Sequence, residues 1–180
     1  MTRFAMLALV ACSPRYPANT TLTDLPTLDP VKREFNAHRG ETRFLTLLSP
    51  TCPPCIKGAH AVRDHVVGKL RVIVAWIPML DDDERDSAEG RMSLFPQTPQ
   101  FWDGEKHLGD AVRASLDLGE GPPSWDIYLV YDRDAEWIDR LPKPSRVVLL
   151  AHTVPAWAKS HDIEVTDEQH IDEVIATIRR

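Results

Sequence analysis

Glycine is scarce in this chain, with 8 residues in 180. None of them builds the glycine-rich turn that cradles a phosphate or a dinucleotide, and most stand where helices should end. The 15 prolines punctuate the loops instead. The apolar run Phe4 to Val10 falls far short of the roughly 20 residues that a membrane-spanning helix needs. Basic runs are missing too. With 21 basic residues, scattered, against 27 acidic ones and a net charge of −6, a nucleic-acid surface is excluded. No internal repeat occurs. Cysteine is rare, with three residues, and these carry most of the information.

Two of the three form Cys52-Pro53-Pro54-Cys55, between the apolar run Phe44-Leu45-Thr46-Leu47-Leu48 and a helical pattern from Ile56. Thiols three residues apart at a helix start lie about 60° apart on the wheel. Both can meet one partner, either each other as a disulfide or one metal ion. A helix N-terminus favours a thiolate at the first cysteine, and the thiolate is the nucleophile of disulfide exchange. Cys55, Ala59, Val62 and Val66 form one apolar stripe, so Cys55 should face the core. Cys52 precedes that stripe and is expected at an exposed tip. Cys52 then attacks, and Cys55 resolves the mixed disulfide. Pro53 and Pro54 supply no N–H, which removes two donors from the thiolate. A structural disulfide or an incidental pair is the blander reading.

The third cysteine closes Leu9-Val10-Ala11-Cys12, after Arg3 and the apolar run. A positive start, a short apolar core and small residues make an export signal. Ending on cysteine, residues 1–11 resemble the signal of a bacterial lipoprotein, which implies acylation of Cys12 and a membrane anchor. Eleven residues are fewer than the roughly 15–30 of a usual signal; a start further upstream, or a buried N-terminal strand with a spare cysteine, are the alternatives. Residues 12–28 are polar and turn-rich and are expected to form a tether. Residues 29–180 then make one domain of ordinary size.

Along that domain the order is α/β. Asp29 is expected to cap a short helix with Pro30 in its first turn, ending near Gly40. Residues 43–48 read as a strand and the CxxC helix runs to about Val67, with Gly68 as its left-handed stop and Leu70 folding back. Arg71 to Ile77 is a near-continuous apolar run, the mark of a strand covered on both faces and parallel to the first. Asp81-Asp82-Asp83-Glu84 reads as a solvated loop before a weak helix to about Leu94. Asp103 is expected to cap a helix whose Leu108, Ala111, Val112 and Leu116 share a face, with Gly119 at its end. Ile127 to Tyr131 is a strand, followed by the turn Asp132-Arg133-Asp134-Ala135. Arg146 to Leu150 is an apolar run of undecided type. Thr166 with Gln169 is a capping box for a last helix whose Ile171, Val174, Ile175 and Ile178 face inward.

This succession, with Ser49-Pro50-Thr51-Cys52-Pro53-Pro54-Cys55 between strand and helix, resembles the thioredoxin family, and within it exported, membrane-tethered thioredoxin-like proteins of bacteria. It is also loosely similar to redoxin domains with an added N-terminal segment. The resemblance implies a three-layer sandwich with a mixed central sheet and an N-terminal extension. It implies Cys52 as nucleophile, Cys55 as resolving thiol and a proline, usually cis, before the third core strand. Here that position is Asp126, preceded by Trp125, while Pro122 and Pro123 lie upstream. Either the loop is longer and Pro123 takes the role, or Trp-Asp replaces it. Residues 122–126 are expected beside the cysteines, with Pro123, Trp125 and Asp126 as the substrate loop. The buried acid of some family members has no assignable counterpart.

The expected activity is that of a lipid-anchored thiol–disulfide oxidoreductase of the cell envelope. It needs no cofactor or metal, acts as a monomer, and takes protein or small-molecule thiols and disulfides as partners. The alternative is a Cu(I)-binding or delivery protein on the same scaffold, since thiolates select soft metals. Such a protein would want a third ligand. His60 lies about 140° round the helix from Cys55, and His65, His107 and His152 would reach the thiols only through tertiary contact. Trp76 and Trp125 are candidates to line the cleft.

Overall fold

A computed structural model describes residues 21–150, together with 158, 161, 163–166, 170, 173, 176 and 177. The elements are β1 (Leu22–Asp24), α1 (Asp29–Ala37), β2 (Arg43–Leu48), α2 (Pro53–Val66), β3 (Arg71–Trp76), α3 (Arg85–Arg91), β4 (Gln100–Trp102), α4 (His107–Ser115), β5 (Ile127–Tyr131), β6 (Arg146–Leu150) and β7 (Glu164–Thr166). They order one sheet as β1-β4-β3-β2-β5-β6-β7. From β1 to β2 the neighbours are parallel, β5 is antiparallel to both β2 and β6, and β7 runs parallel to β6. The inner four strands, β3-β2-β5-β6, with α2 crossing from β2 to β3, are the arrangement that the resemblance to the thioredoxin family implies. The sheet is mixed, as expected.

The central strands read as unbroken apolar runs because both faces are covered. Phe44 and Leu48 of β2, Val72, Val74 and Trp76 of β3, and Tyr128 and Val130 of β5 share one core with Cys55, Ala59, Val62 and Val66 of α2 and Ala88 of α3. The intervening residues, Leu45 and Leu47, Ile73 and Ala75, and Ile127, Leu129 and Tyr131, pack with Val31 and Phe35 of α1 and Leu108, Val112 and Leu116 of α4. The period of two along each strand thus divides its side chains between two helical layers. The undecided run Arg146 to Leu150 is the strand β6, pairing with β5.

Gly68 has φ +74 and ends α2, and Leu70 packs back on the core. Leu28, not Asp29, occupies the N-cap of α1. Lys106, not Asp103, occupies the N-cap of α4; Asp103 stands three residues earlier and its carboxylate accepts from Leu108 N at 2.9 Å and Gly109 N at 3.1 Å in the first turn. The Asp132 turn is held by Arg43, whose guanidinium donates to the Asp132 and Ala135 carbonyls.

The expected tether is corrected at residues 22–25. Leu22–Asp24 pairs with β4, and Leu25 is buried at 2% exposure, because two leucines in a polar segment are enough to cover the β4 edge. Strand β4 went unrecognised, being only three residues long. Thr166 closes β7; Gln169 and the inward residues of the last helix lie outside the described residues, as do Cys12 and residues 1–11.

Gly109 lets the loop before β5 approach α4. A Cβ there would lie 2.6 Å from both Ile77 Cδ1 and Pro123 Cβ, and Ser124 N donates to Gly109 O at 3.1 Å. Ile77 can rotate, but the pyrrolidine ring cannot. Gly109→Ala should therefore destabilise the fold by about 1–3 kcal/mol, the usual cost of overpacking, despite alanine's better helix propensity. A lower urea midpoint with an unchanged m-value is the expected result.

Candidate active site

Strand β2 ends at Leu48, and Ser49-Pro50-Thr51 carries the chain to Cys52, the N-cap of α2, with φ −74 and ψ 112. Pro53 and Pro54 fill the first two helical positions without N–H groups. The first free donor is therefore Cys55 N, and it points at Cys52 Sγ at 3.3 Å. Ile56 N bonds to Cys52 O at 3.0 Å. Cys52 thus caps its own helix through sulfur, at the positive end of the helix dipole. The two cysteines are unbridged.

Cys52 is not at an exposed tip. It is 4% exposed and Cys55 fully buried, both within the core under α2, against which Trp125 also packs. The sequence places Cys52 before the apolar stripe of the helix but carries no sign that the loops before β5 and after β3 fold over it. Burial pushes the Cys55 thiol far up, and the neighbouring Asp126 carboxylate and the Cys52 thiol push it further; the Ser49 backbone opposes them.

Of the expected substrate loop, Asp126 and Trp125 reach the site. Asp126 immediately precedes β5 with φ +51, a left-handed conformation that aspartate tolerates better than most residues. Its carboxylate and the two sulfurs all lie within 4.8 Å of one another. Burial raises the Asp126 carboxyl above its ordinary range, while the adjoining Cys55 thiol holds it partly down. Oδ1 of Asp126 is buried without a hydrogen-bond partner. Pro123 behaves differently: it rests on Gly109 of α4, and every peptide bond among the described residues is trans. The expectation of a cis Pro123 against the cysteines is therefore corrected. The ring is drawn to α4 by the glycine gap, and Trp-Asp takes the place beside the thiols.

Asp126 is also the third donor that the helix face of Cys55 did not supply. It belongs to the one group of three or more potential metal-ligating side chains found among the described residues. His60 is exposed on α2, and His107 is exposed at the start of α4. Trp76 is fully buried in the same core as the thiols and donates to Gln100 Oε1 at 2.9 Å, so it is a floor of the site and not an open wall.

One acid of the run expected to be solvated is buried next to the site. Asp81 and Asp82 are exposed, but Asp83 is 8% exposed. Its Oδ1 accepts from Thr51 N at 3.0 Å and Thr51 Oγ1 at 2.6 Å, and its Oδ2 accepts from Met79 N and Leu80 N, each at 2.8 Å. One carboxylate therefore ties the loop after β3 to the residue before Cys52. Arg91 Nε adds a bond to Pro50 O at 3.1 Å. The only sequence signal was an aspartate three and four residues after the amides it accepts from, a common turn device that does not reveal the partner across the fold.

No family model matches the chain, and no curated protein does. Solved structures similar to it include a secreted Mycobacterium tuberculosis disulfide oxidoreductase homologous to E. coli DsbE (14% identity over 78% of this chain and 84% of that one, TM-score 0.45). A thioredoxin-family thiol:disulfide interchange protein from Chlorobium tepidum TLS is 11% identical over 80% and 83%, with TM-score 0.46. M. tuberculosis DsbF is 14% identical over 79% and 84%, with TM-score 0.43. At this distance the chemistry rests on the chain's own residues.

Burial pushes the Asp83 carboxyl up, but the hydrogen bonds from Thr51, Leu80 and Met79 outweigh it and the net shift is down. A depressed folded-state pKa gives stability that is present above the unfolded value of about 3.9 and is lost as pH falls below it. Asp83→Asn should cost about 2–3 kcal/mol at pH 7, since an amide facing four donors leaves at least one unsatisfied. The gap between variant and parent should narrow as pH drops from about 4 towards 2. Urea unfolding at pH 7 and pH 3 checks both; an equal gap at both values would remove the charge from the account.

Proposed function

We propose that this protein is a thiol–disulfide oxidoreductase in which Cys52 is the attacking thiol and Cys55 the resolving one. The observation that carries the reading is the hydrogen bond from Cys55 N to Cys52 Sγ at the N-terminus of α2. It directs a backbone donor and the helix dipole at one sulfur and leaves the other fully buried behind it. In the reducing direction, Cys52 Sγ attacks a substrate disulfide and the first substrate sulfur leaves. Cys55 Sγ then attacks Cys52 Sγ, and the second substrate sulfur leaves. The Cys52–Cys55 bond has formed, the substrate bond has broken, two electrons have passed to the substrate, and the two thiol protons end on its sulfurs. Oxidation is the same sequence reversed. The reduction potential assigns the direction: near −120 mV marks an oxidant and near −270 mV a reductant.

The substrates are protein or small-molecule thiols and disulfides, met by a monomer through the loop of Trp125 and Asp126. Copper(I) delivery is the weaker reading, because the third donor beside the thiols is a hard carboxylate and not a soft ligand. The segment Leu9-Val10-Ala11-Cys12 supports export and acylation at Cys12, which would hold the domain at a membrane of the cell envelope. Among the described residues no helix is long and apolar enough to cross a membrane.

The asymmetry of roles is tested by trapping. Cys55→Ser should accumulate mixed disulfides with substrate, seen as thiol-sensitive adducts on non-reducing gels, and Cys52→Ser should accumulate none. Equal trapping by both variants would contradict the assignment. The anchor is tested by intact mass from the native host: loss of residues 1–11 with added acyl mass on Cys12 is expected, and an unmodified Met1 in a soluble fraction would sink it.

A further inference from the structure

We infer that the reduced site is also a zinc site, with Cys52 Sγ, Cys55 Sγ and one Asp126 carboxylate oxygen as its three protein ligands. The inference uses the residues of the redox reading but does not depend on that reading. In a tetrahedral zinc site with Zn–S near 2.3 Å and Zn–O near 2.0 Å, ligand atoms stand about 3.5–3.8 Å apart. The three donors here lie within 4.8 Å of one another, so closing on one ion takes movements of about 1 Å or less per ligand. Cys52 is the N-cap of α2, Cys55 stands in its first turn and Asp126 immediately precedes β5, so all three are held by elements packed on the same sheet. Oδ1 of Asp126 is buried and has no hydrogen-bond partner, so a ligand-competent oxygen is left unsatisfied within the site.

The donor set selects the metal. Two thiolates disfavour calcium and magnesium, which take oxygen ligands. A carboxylate disfavours Cu(I), which is better served by sulfur alone. Zinc accepts both kinds, and three protein ligands with a fourth position for water is a common arrangement for it. Two thiolates and one carboxylate sum to three negative charges, and Zn2+ lowers the net charge of this cluster of two buried thiols and a half-buried acid to −1.

Zinc and the disulfide exclude each other, because a sulfur bonded to its partner has lost the thiolate that ligates. When an organic disulfide takes two electrons from the site, the Cys52–Cys55 bond forms and Zn2+ leaves with both metal–sulfur bonds broken. The metal would thus occupy only the reduced protein and hold back its reaction with disulfides until it is removed.

The test uses the full chain carrying Cys12→Ser, reduced and kept without oxygen, titrated with Zn2+ against a chromophoric chelator and separately with Co2+. One equivalent of either ion should bind, with thiolate-to-cobalt charge transfer and the intense visible bands of a tetrahedral ion. Disulfide formation by oxidised glutathione should release it. Asp126→Asn should weaken zinc at least about tenfold, since even removing an outer partner of a ligand costs about 10–100-fold. Asp126→His should restore binding, which separates ligation from a fold defect. Binding no tighter than that of a Cys52→Ser/Cys55→Ser variant, or equal binding by Asp126→Asn, would overturn the inference. A reversible Cys52–Cys55 disulfide without zinc binding would defeat the zinc site alone. Zinc binding by a pair that never forms a disulfide would defeat the oxidoreductase reading alone.

Discussion

Strand β2 is covered on both faces and paired on both edges, parallel to β3 and antiparallel to β5, and the site depends on that placement. Leu48 lies opposite Trp76 of β3, and Leu47 opposite Ile127 of β5. The C-terminal ends of β2 and β3 and the N-terminal end of β5 therefore meet at one edge of the sheet. The first delivers Cys52, the second the Asp83 loop and the third Asp126. Had β5 run parallel to β2, Asp126 would sit at the far end of the strand, roughly 15 Å away at the usual rise per residue.

What gathers there is unusual in its polarity. Two buried thiols meet a half-buried carboxylate; Cys55 N, the first donor left after two prolines, points at Cys52 Sγ, and the Ser49 backbone bonds to Cys55. Burial makes the charged forms of Cys55 and Asp126 costly, so each neighbour's state matters more than it would in solvent. The same crowding suits sulfur chemistry and metal ligation, which is why both readings converge on the same three side chains.

The loops around the thiols are held by charge as well as by packing. Asp83 satisfies four donors at once, binding Thr51 on one side and its own turn on the other. On the opposite side, Gly109 admits Pro123 against α4, which fixes where the chain turns before Asp126. Both residues act at a distance from the sulfurs, through the backbone that carries them.

The sequence by itself determined the CxxC motif, its place between strand and helix, the apolar stripe of α2 and the three central strands, because these are local patterns repeated at the period of a helix or a strand. The family resemblance it carries also grouped Pro123, Trp125 and Asp126 as the expected substrate loop. Only the tertiary structure decided that Cys52 is buried, that β4 and β1 extend the sheet, that Pro123 packs on α4, and that Asp83 ties down the residue before Cys52 and Asp126 lies beside the thiols while Asp81 and Asp82 face solvent. The reason is physical. A three-residue strand or a single carboxylate has no period of its own, and its role is set by partners that lie tens of residues away in the chain and become neighbours only when the sheet closes.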